Sequence, residues 1–169
     1  VLPLIINENQ KILSNRNDLI VLRDNLAENN SLNNYELNKL RKIAKKYKIE
    51  FDNEHKMEII DKLLLRVEII PNSIVLAQAA IESGWGSSRF AQEYNALFGE
   101  YTYDNSKGVV PLERENGDTH LIKAFNSYHN SVMSYFNNIN SHYAYEDFRE
   151  IRNIMRERNN FSNVNLLVE

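Results

Sequence analysis

The sequence predicts a mainly α-helical domain, of the α+β class, with an inserted β-hairpin lobe at about residues 98–125. Three observations predict it. Apolar residues recur at helical spacing over most of the 169-residue chain. After Asn95 that rhythm breaks, with glycines at 99, 108 and 117 and alternation from Val109 to Glu113. Within this region Glu115-Asn-Gly-Asp118 is a strong short hairpin signal.

The elements follow in order. Val1 to Leu26 carries apolar clusters (Leu4, Ile5, Ile12, Leu13, Leu19, Ile20) that fit one or two helices, with an interruption expected around Ser14 to Asn17. Glu28 to Asn34 is polar and reads as a connection. Leu37, Leu40, Ile43, Ala44 and Tyr47 then mark one helix face, with Ser31, Asn33 or Asn34 available as the cap. Lys56 to Val67 is a shorter helix with Ile60, Leu63, Leu64 and Val67 inward. Pro71 opens the next helix, capped by Asn72 or Ser73 and ending at Glu82. A short helix is expected from Ser87 to Tyr94 and a hairpin from Gly108 to Phe125. Helical spacing returns with Val132, Tyr135, Phe136 and Ile139, capped near Ser127, and again with Phe148, Ile151 and Met155.

Composition narrows the classes of function. With 43% hydrophobic and 25% charged residues, the chain can bury one sizeable core, so a single domain over 1–169 is expected. Its net charge of -3, with basic residues scattered among acidic ones, argues against nucleic acid as a partner. Zero cysteines exclude disulfides, thiolate metal sites and cysteine nucleophiles. The four histidines lack ligand spacing, so neither a metal site nor a cofactor is expected. No apolar run is long enough for stable membrane insertion, and an export signal would have to lie upstream and be removed. The expected state is a monomer.

The chemistry concentrates in Ala77-Gln-Ala-Ala-Ile-Glu-Ser-Gly-Trp-Gly-Ser-Ser-Arg-Phe90. From Ile74 to Ile81 the only polar residue is Gln78, so this helix is expected to be buried on most sides. It delivers Glu82 at its C-terminal end. Burial and the helix dipole both disfavour a charged carboxylate there, which suits a general acid. The alternative is the last turn of an ordinary helix that Gly84 ends. Trp85, the only tryptophan, sits between Gly84 and Gly86 and serves either as a sugar-stacking face or as a core plug.

These residues carry a family resemblance. Leu76 to Ala91 with Asn95-Ala-Leu-Phe-Gly99 resembles the glucosaminidase domain of glycoside hydrolase family 73, and within it the Bax-type proteins. Val1-Leu-Pro-Leu, Gly108-Val-Val-Pro111, Thr119-His120 and Asn140-Ser-His-Tyr-Ala-Tyr145 extend the likeness over nearly the whole chain. Lytic transglycosylases and goose-type lysozymes use a similar glutamate at a helix end.

The resemblance implies a lysozyme-like fold that binds the glycan strands of peptidoglycan and hydrolyses the bond after N-acetylglucosamine, in the periplasm or outside the cell. Glu82 matches the family's catalytic acid. Glu113, two residues before Glu115-Asn-Gly117, holds the position of the second carboxylate. Its alternative is a solvent-facing strand residue paired with Arg114 or Lys123. Asp104, Glu115 or the substrate's own acetamido oxygen are the remaining choices for that role. Tyr101 and Tyr103 either line the sugar cleft or are half-buried strand residues. Their intervening Thr102 departs from a Trp-Cys-Phe-like triplet in relatives. His120 resembles a family position, and Tyr143 and Tyr145 either pack inside or contact sugar. Relatives continue past the equivalent of Leu166-Leu-Val-Glu169, so a further C-terminal segment is expected. The competing functions are a muramidase or lytic transglycosylase on the same substrate, and a non-catalytic wall-binding or cell-shape protein.

Overall fold

The computed structural model describes residues 1–111 and 120–158. Glu113 and Glu115, and the hairpin tip expected around them, therefore lie outside the described residues, as does the chain after Arg158. The described chain is mainly α-helical, with one small antiparallel sheet. Its elements are α1 (Leu2–Asn29), α2 (Asn34–Lys46), α3 (Lys56–Arg66), α4 (Asn72–Glu82), α5 (Arg89–Tyr94), β1 (Tyr101–Thr102), β2 (Gly108–Val109), β3 (Leu121–Lys123), α6 (Tyr128–Ser141), a 3-10 turn (Tyr143–Tyr145) and α7 (Glu146–Glu157). They fall into two compact units, Val1–Ile6 with Asn72–Phe136, and Asn7–Pro71 with the chain from Asn137 onward.

In the first unit α4 buries Ile74, Val75 and Ala79, while α6 buries Val132, Tyr135 and Phe136. The sheet has the order β1-β3-β2, both pairs antiparallel, with Tyr101 opposite Ile122 and Gly108 opposite Lys123. The expected hairpin is thus present in β2 and β3, and β1 adds a strand on the other edge of β3. Leu121 anchors the sheet at 5% exposure.

In the second unit α2 packs on α3, and α3 on α7. Asn33 closes a capping box with Glu36, each side chain accepting from the other's backbone N–H at 3.0 and 2.8 Å. The expected interruption of α1 is absent, because the polar residues that suggested it have tertiary partners. Arg16 donates to the Leu64 and Val67 carbonyls, and the Asn15 side chain hydrogen-bonds Tyr47. A helix keeps its backbone bonds when its polar side chains are satisfied elsewhere.

Helix α7 differs from expectation in its inward face. Arg149, Arg152 and Met155 are buried, and Ile151 is exposed. Arg152 is fully buried and fans its guanidinium onto the Leu65, Arg66, Glu68 and Ile69 carbonyls and Asn140 Oδ1. It thereby satisfies the acceptors left open where α3 ends. Burial pushes its pKa down to about 9, with Glu68 opposing that shift. The buried Glu68 carboxylate in turn pairs with Arg16 and Arg156.

Candidate active site

Helix α4 positions the glutamate singled out by the sequence. It buries Ile74, Val75 and Ala79, and Ser83 just beyond its end, whereas Ala77, Gln78, Ile81 and Glu82 are exposed. The expectation of a helix buried on most sides is therefore corrected. Small residues and an exposed Ile81, at 76% exposure, cover a face that hydropathy alone reads as interior. Glu82 consequently stands at the surface, not in the dry setting expected for it.

After Glu82 three successive residues adopt left-handed backbone: Gly84 (φ 57°), Trp85 (φ 57°) and Gly86 (φ 79°). Glycine takes such angles at no steric cost, but tryptophan does not. The buried Ser83 ties the turn together. Its hydroxyl donates to the Ala79 carbonyl and accepts from the Gly86 N–H at 2.8 Å, while its carbonyl accepts from Ser88 N–H at 3.0 Å. Ser88 then caps α5 through the Ala91 N–H. This role of Ser83 was missed in the sequence, where only its place in the motif marked it.

The turn presents Trp85 at 89% exposure. Trp85 is not a core plug. It lines an apolar cavity of about 430 Å³ with Val1, Leu76, Ala77, Ala80 and Leu97.

The segment after α5 brings a second backbone to Glu82. Asn95 ends α5 in left-handed conformation and donates to the Phe125 carbonyl, and the Leu97 N–H donates to Ser131 Oγ at 3.1 Å. Held this way, Gly99 lies so close to the glutamate that a Cβ on it would sit 3.3 Å from Glu82 Oε2. The residue after it, Glu100, is half-buried, with its side chain 12% exposed, a placement the sequence did not signal. Ser134 donates to its Oε2 at 2.9 Å and Lys123 stands 3.5 Å away. Burial holds the Glu100 carboxyl above the usual range, offset in part by Lys123.

The remaining sequence candidates divide between the units. Tyr101 and Tyr103 are exposed, not half-buried, and the Tyr101 ring lies 4.5 Å from that of His120. Asp104 accepts from Ser106 and Lys107, which hold its carboxyl down at about 2. It is thus set to remain ionised, unlike a proton donor. Tyr143 and Tyr145 belong to the second unit, around His142, with Tyr143 exposed at 79% and Tyr145 half-buried. Core packing is thereby ruled out for Tyr143. Among the described residues no group of three or more His, Asp or Glu side chains is disposed to hold a metal ion.

Fold and site define a lysozyme-like, mainly α-helical domain with a small antiparallel sheet, in which the candidate glutamate ends a helix. The chain belongs to the glucosaminidase family: residues 57–164 match the family described as mannosyl-glycoprotein endo-beta-N-acetylglucosaminidase. It is 34% identical over 157 residues to Protein bax of Escherichia coli K12, covering 93% of this chain and 54% of that protein. It is also 37% identical over 79 residues to the peptidoglycan hydrolase FlgJ of Escherichia coli, covering 39% of this chain and 25% of FlgJ. The chain thus spans about half the length of the first relative and a quarter of the second. No solved structure matches it.

Proposed function

We propose that this chain is a peptidoglycan hydrolase that cleaves the glycan strand after N-acetylglucosamine, with Glu82 as general acid. The observation that carries the reading is Glu82 itself, exposed at the end of α4, braced by Gly99 and followed by a strained turn presenting Trp85. Family membership and the likeness to FlgJ support the choice of substrate. A peptidoglycan substrate implies a periplasmic or extracellular setting. In this reading the Glu82 proton passes to the glycosidic oxygen as the bond to the anomeric carbon breaks, and charge develops on the ring that is left. A bound glycan covers Glu82 and supplies the dry setting that favours a protonated carboxyl. Glu113, or the substrate acetamide, stabilises the developing charge, and water completes hydrolysis. Trp85, Tyr101, Tyr103 and His120, in the same unit as Glu82, are the candidate sugar contacts.

The exposure of Glu82 also favours a second reading, a wall-binding protein without turnover. Digestion of purified peptidoglycan by wild type, Glu82→Gln and Glu113→Gln, with mass spectrometry of released fragments, separates the two. The hydrolase reading expects N-acetylglucosamine at the new reducing ends and a loss of about 10²- to 10⁴-fold in Glu82→Gln. Equal glycan binding by wild type and Glu82→Gln with no fragments from either would establish the binding reading. A muramic acid end would reassign the bond.

A further inference from the structure

Gln78 precedes Glu82 by one helical turn on α4, so the two exposed side chains share a face, with Cβ atoms about 5–6 Å apart for such a pair. It is the only polar residue from Ile74 to Ile81. A glutamine there is free to move unless something holds it, and Tyr135 does. The Tyr135 hydroxyl donates to Gln78 Oε1. Tyr135 is itself 6% exposed, and its ring stacks on Phe98 with centroids 4.0 Å apart and planes 20° apart. Phe98 leads directly into Gly99, which braces Glu82. One buried aromatic pair therefore holds the amide and leads into the residue that lies against the carboxylate.

A primary amide carries two N–H donors and a carbonyl acceptor. With its oxygen held by Tyr135, the Gln78 Nε2 has no partner among the described residues. An amide immobilised at one edge and open at the other loses little further side-chain entropy when a ligand acceptor meets it. Resting on the glycan-hydrolase reading of Glu82, we propose that Gln78 is a specificity-determining residue that donates to the acetamido carbonyl oxygen of the sugar beside the scissile bond. Tyr135 is its positioning residue. A carbonyl is the acceptor that complements a fixed N–H donor, and in a glycan strand of amino sugars the acetamido group supplies it on the ring itself.

The test measures binding as well as turnover. Wild type, Gln78→Met and Tyr135→Phe are titrated calorimetrically with chitopentaose and with its fully de-N-acetylated counterpart. Fragment release is measured in parallel from native and chemically de-N-acetylated peptidoglycan. The cationic amines of the second ligand act on all three proteins, so the change in preference between proteins is the readout. Wild type should favour the acetylated ligand by about tenfold or more, the scale of one well-placed hydrogen bond. Gln78→Met should reduce that preference to within about twofold, and Tyr135→Phe, which keeps the ring stack, should fall between. For Tyr135→Phe the loss should appear in KM more than in kcat, and thermal unfolding should shift little for either variant. Wild-type preference retained in both variants, no preference in wild type, or no binding of either ligand overturns the proposal. Preference that depends on Gln78 in a wild type that releases no fragments supports it, while sinking the hydrolase reading.

Discussion

Glu82 Oε2 lies 3.3 Å from the point where a side chain on Gly99 would begin. That separation is tighter than most Cβ contacts, so a Cβ on residue 99 would make the carboxylate give way by a few tenths of an ångström. Gly99→Ala should push the carboxylate aside without disturbing its neighbours, the buried Phe98 and the half-buried Glu100. Because displacement of about 1 Å at a reacting group costs up to 10²-fold, a smaller shift should lower kcat for glycan hydrolysis by about two- to fivefold. Steady-state kinetics beside thermal unfolding checks this; a variant with unchanged kcat would remove Gly99 from the site.

Trp85 combines left-handed backbone with nearly complete exposure, so its side chain gains little from folding and its backbone is strained. Trp85→Gly should relieve that strain and stabilise the fold by about 0.5–1 kcal/mol, although the added freedom of glycine in the unfolded chain offsets part of the gain. Glycan affinity should fall in the same variant. Urea unfolding and glycan titration test the two halves separately, and unchanged affinity would exclude Trp85 from sugar binding.

Arg152 supports the end of α3 from within α7. Arg152→Met keeps much of the volume but leaves the Leu65, Arg66, Glu68 and Ile69 carbonyls and Asn140 Oδ1 without that donor, and the buried Glu68 with less compensation. A destabilisation of about 3 kcal/mol is expected, measured by chemical denaturation at pH 7. Arg152→Lys should recover only part of it, since an ammonium cannot span five acceptors.

Tyr47 gives the second unit an alkaline dependence. Burial pushes its hydroxyl up to about 12 from a usual value of 10.0. Below pH 10 both folded and unfolded chains hold the proton; between about 10 and 12 the folded chain holds it and the unfolded chain releases it, so stability falls as pH rises. Tyr47→Phe should flatten that fall by about one proton, or about 1.4 kcal/mol per pH unit at most. Unfolding free energies at pH 9, 10.5 and 11.5 for both proteins provide the comparison, and parallel curves would contradict it.

Much of the fold was legible because its determinants are local. Asn33 with Glu36, and Ser127 before Tyr128, each announce a helix start through hydrogen bonds spanning three residues. The Glu-Ser-Gly-Trp-Gly turn was legible for the same reason, since two glycines around a tryptophan demand an unusual backbone. Where the reading missed, the deciding partner was distant in sequence. Ser14 to Asn17 looked like a break until Leu64, Val67 and Tyr47 satisfied the polar residues within it, and α7 turned Arg152 inward because α3 ends against it.

The amino-acid sequence by itself determined which residue types stand at the end of α4 and that the chain turns sharply after them, because spacing, capping and left-handed glycine are properties of a few neighbouring residues. Only the tertiary structure decided that Glu82 is exposed, that Gly99 lies against it, that Tyr135 holds Gln78 and that Glu100 is half-buried beside Lys123 and Ser134. Burial and fixed side-chain geometry are set by whatever packs alongside, and here those partners come from segments tens of residues away.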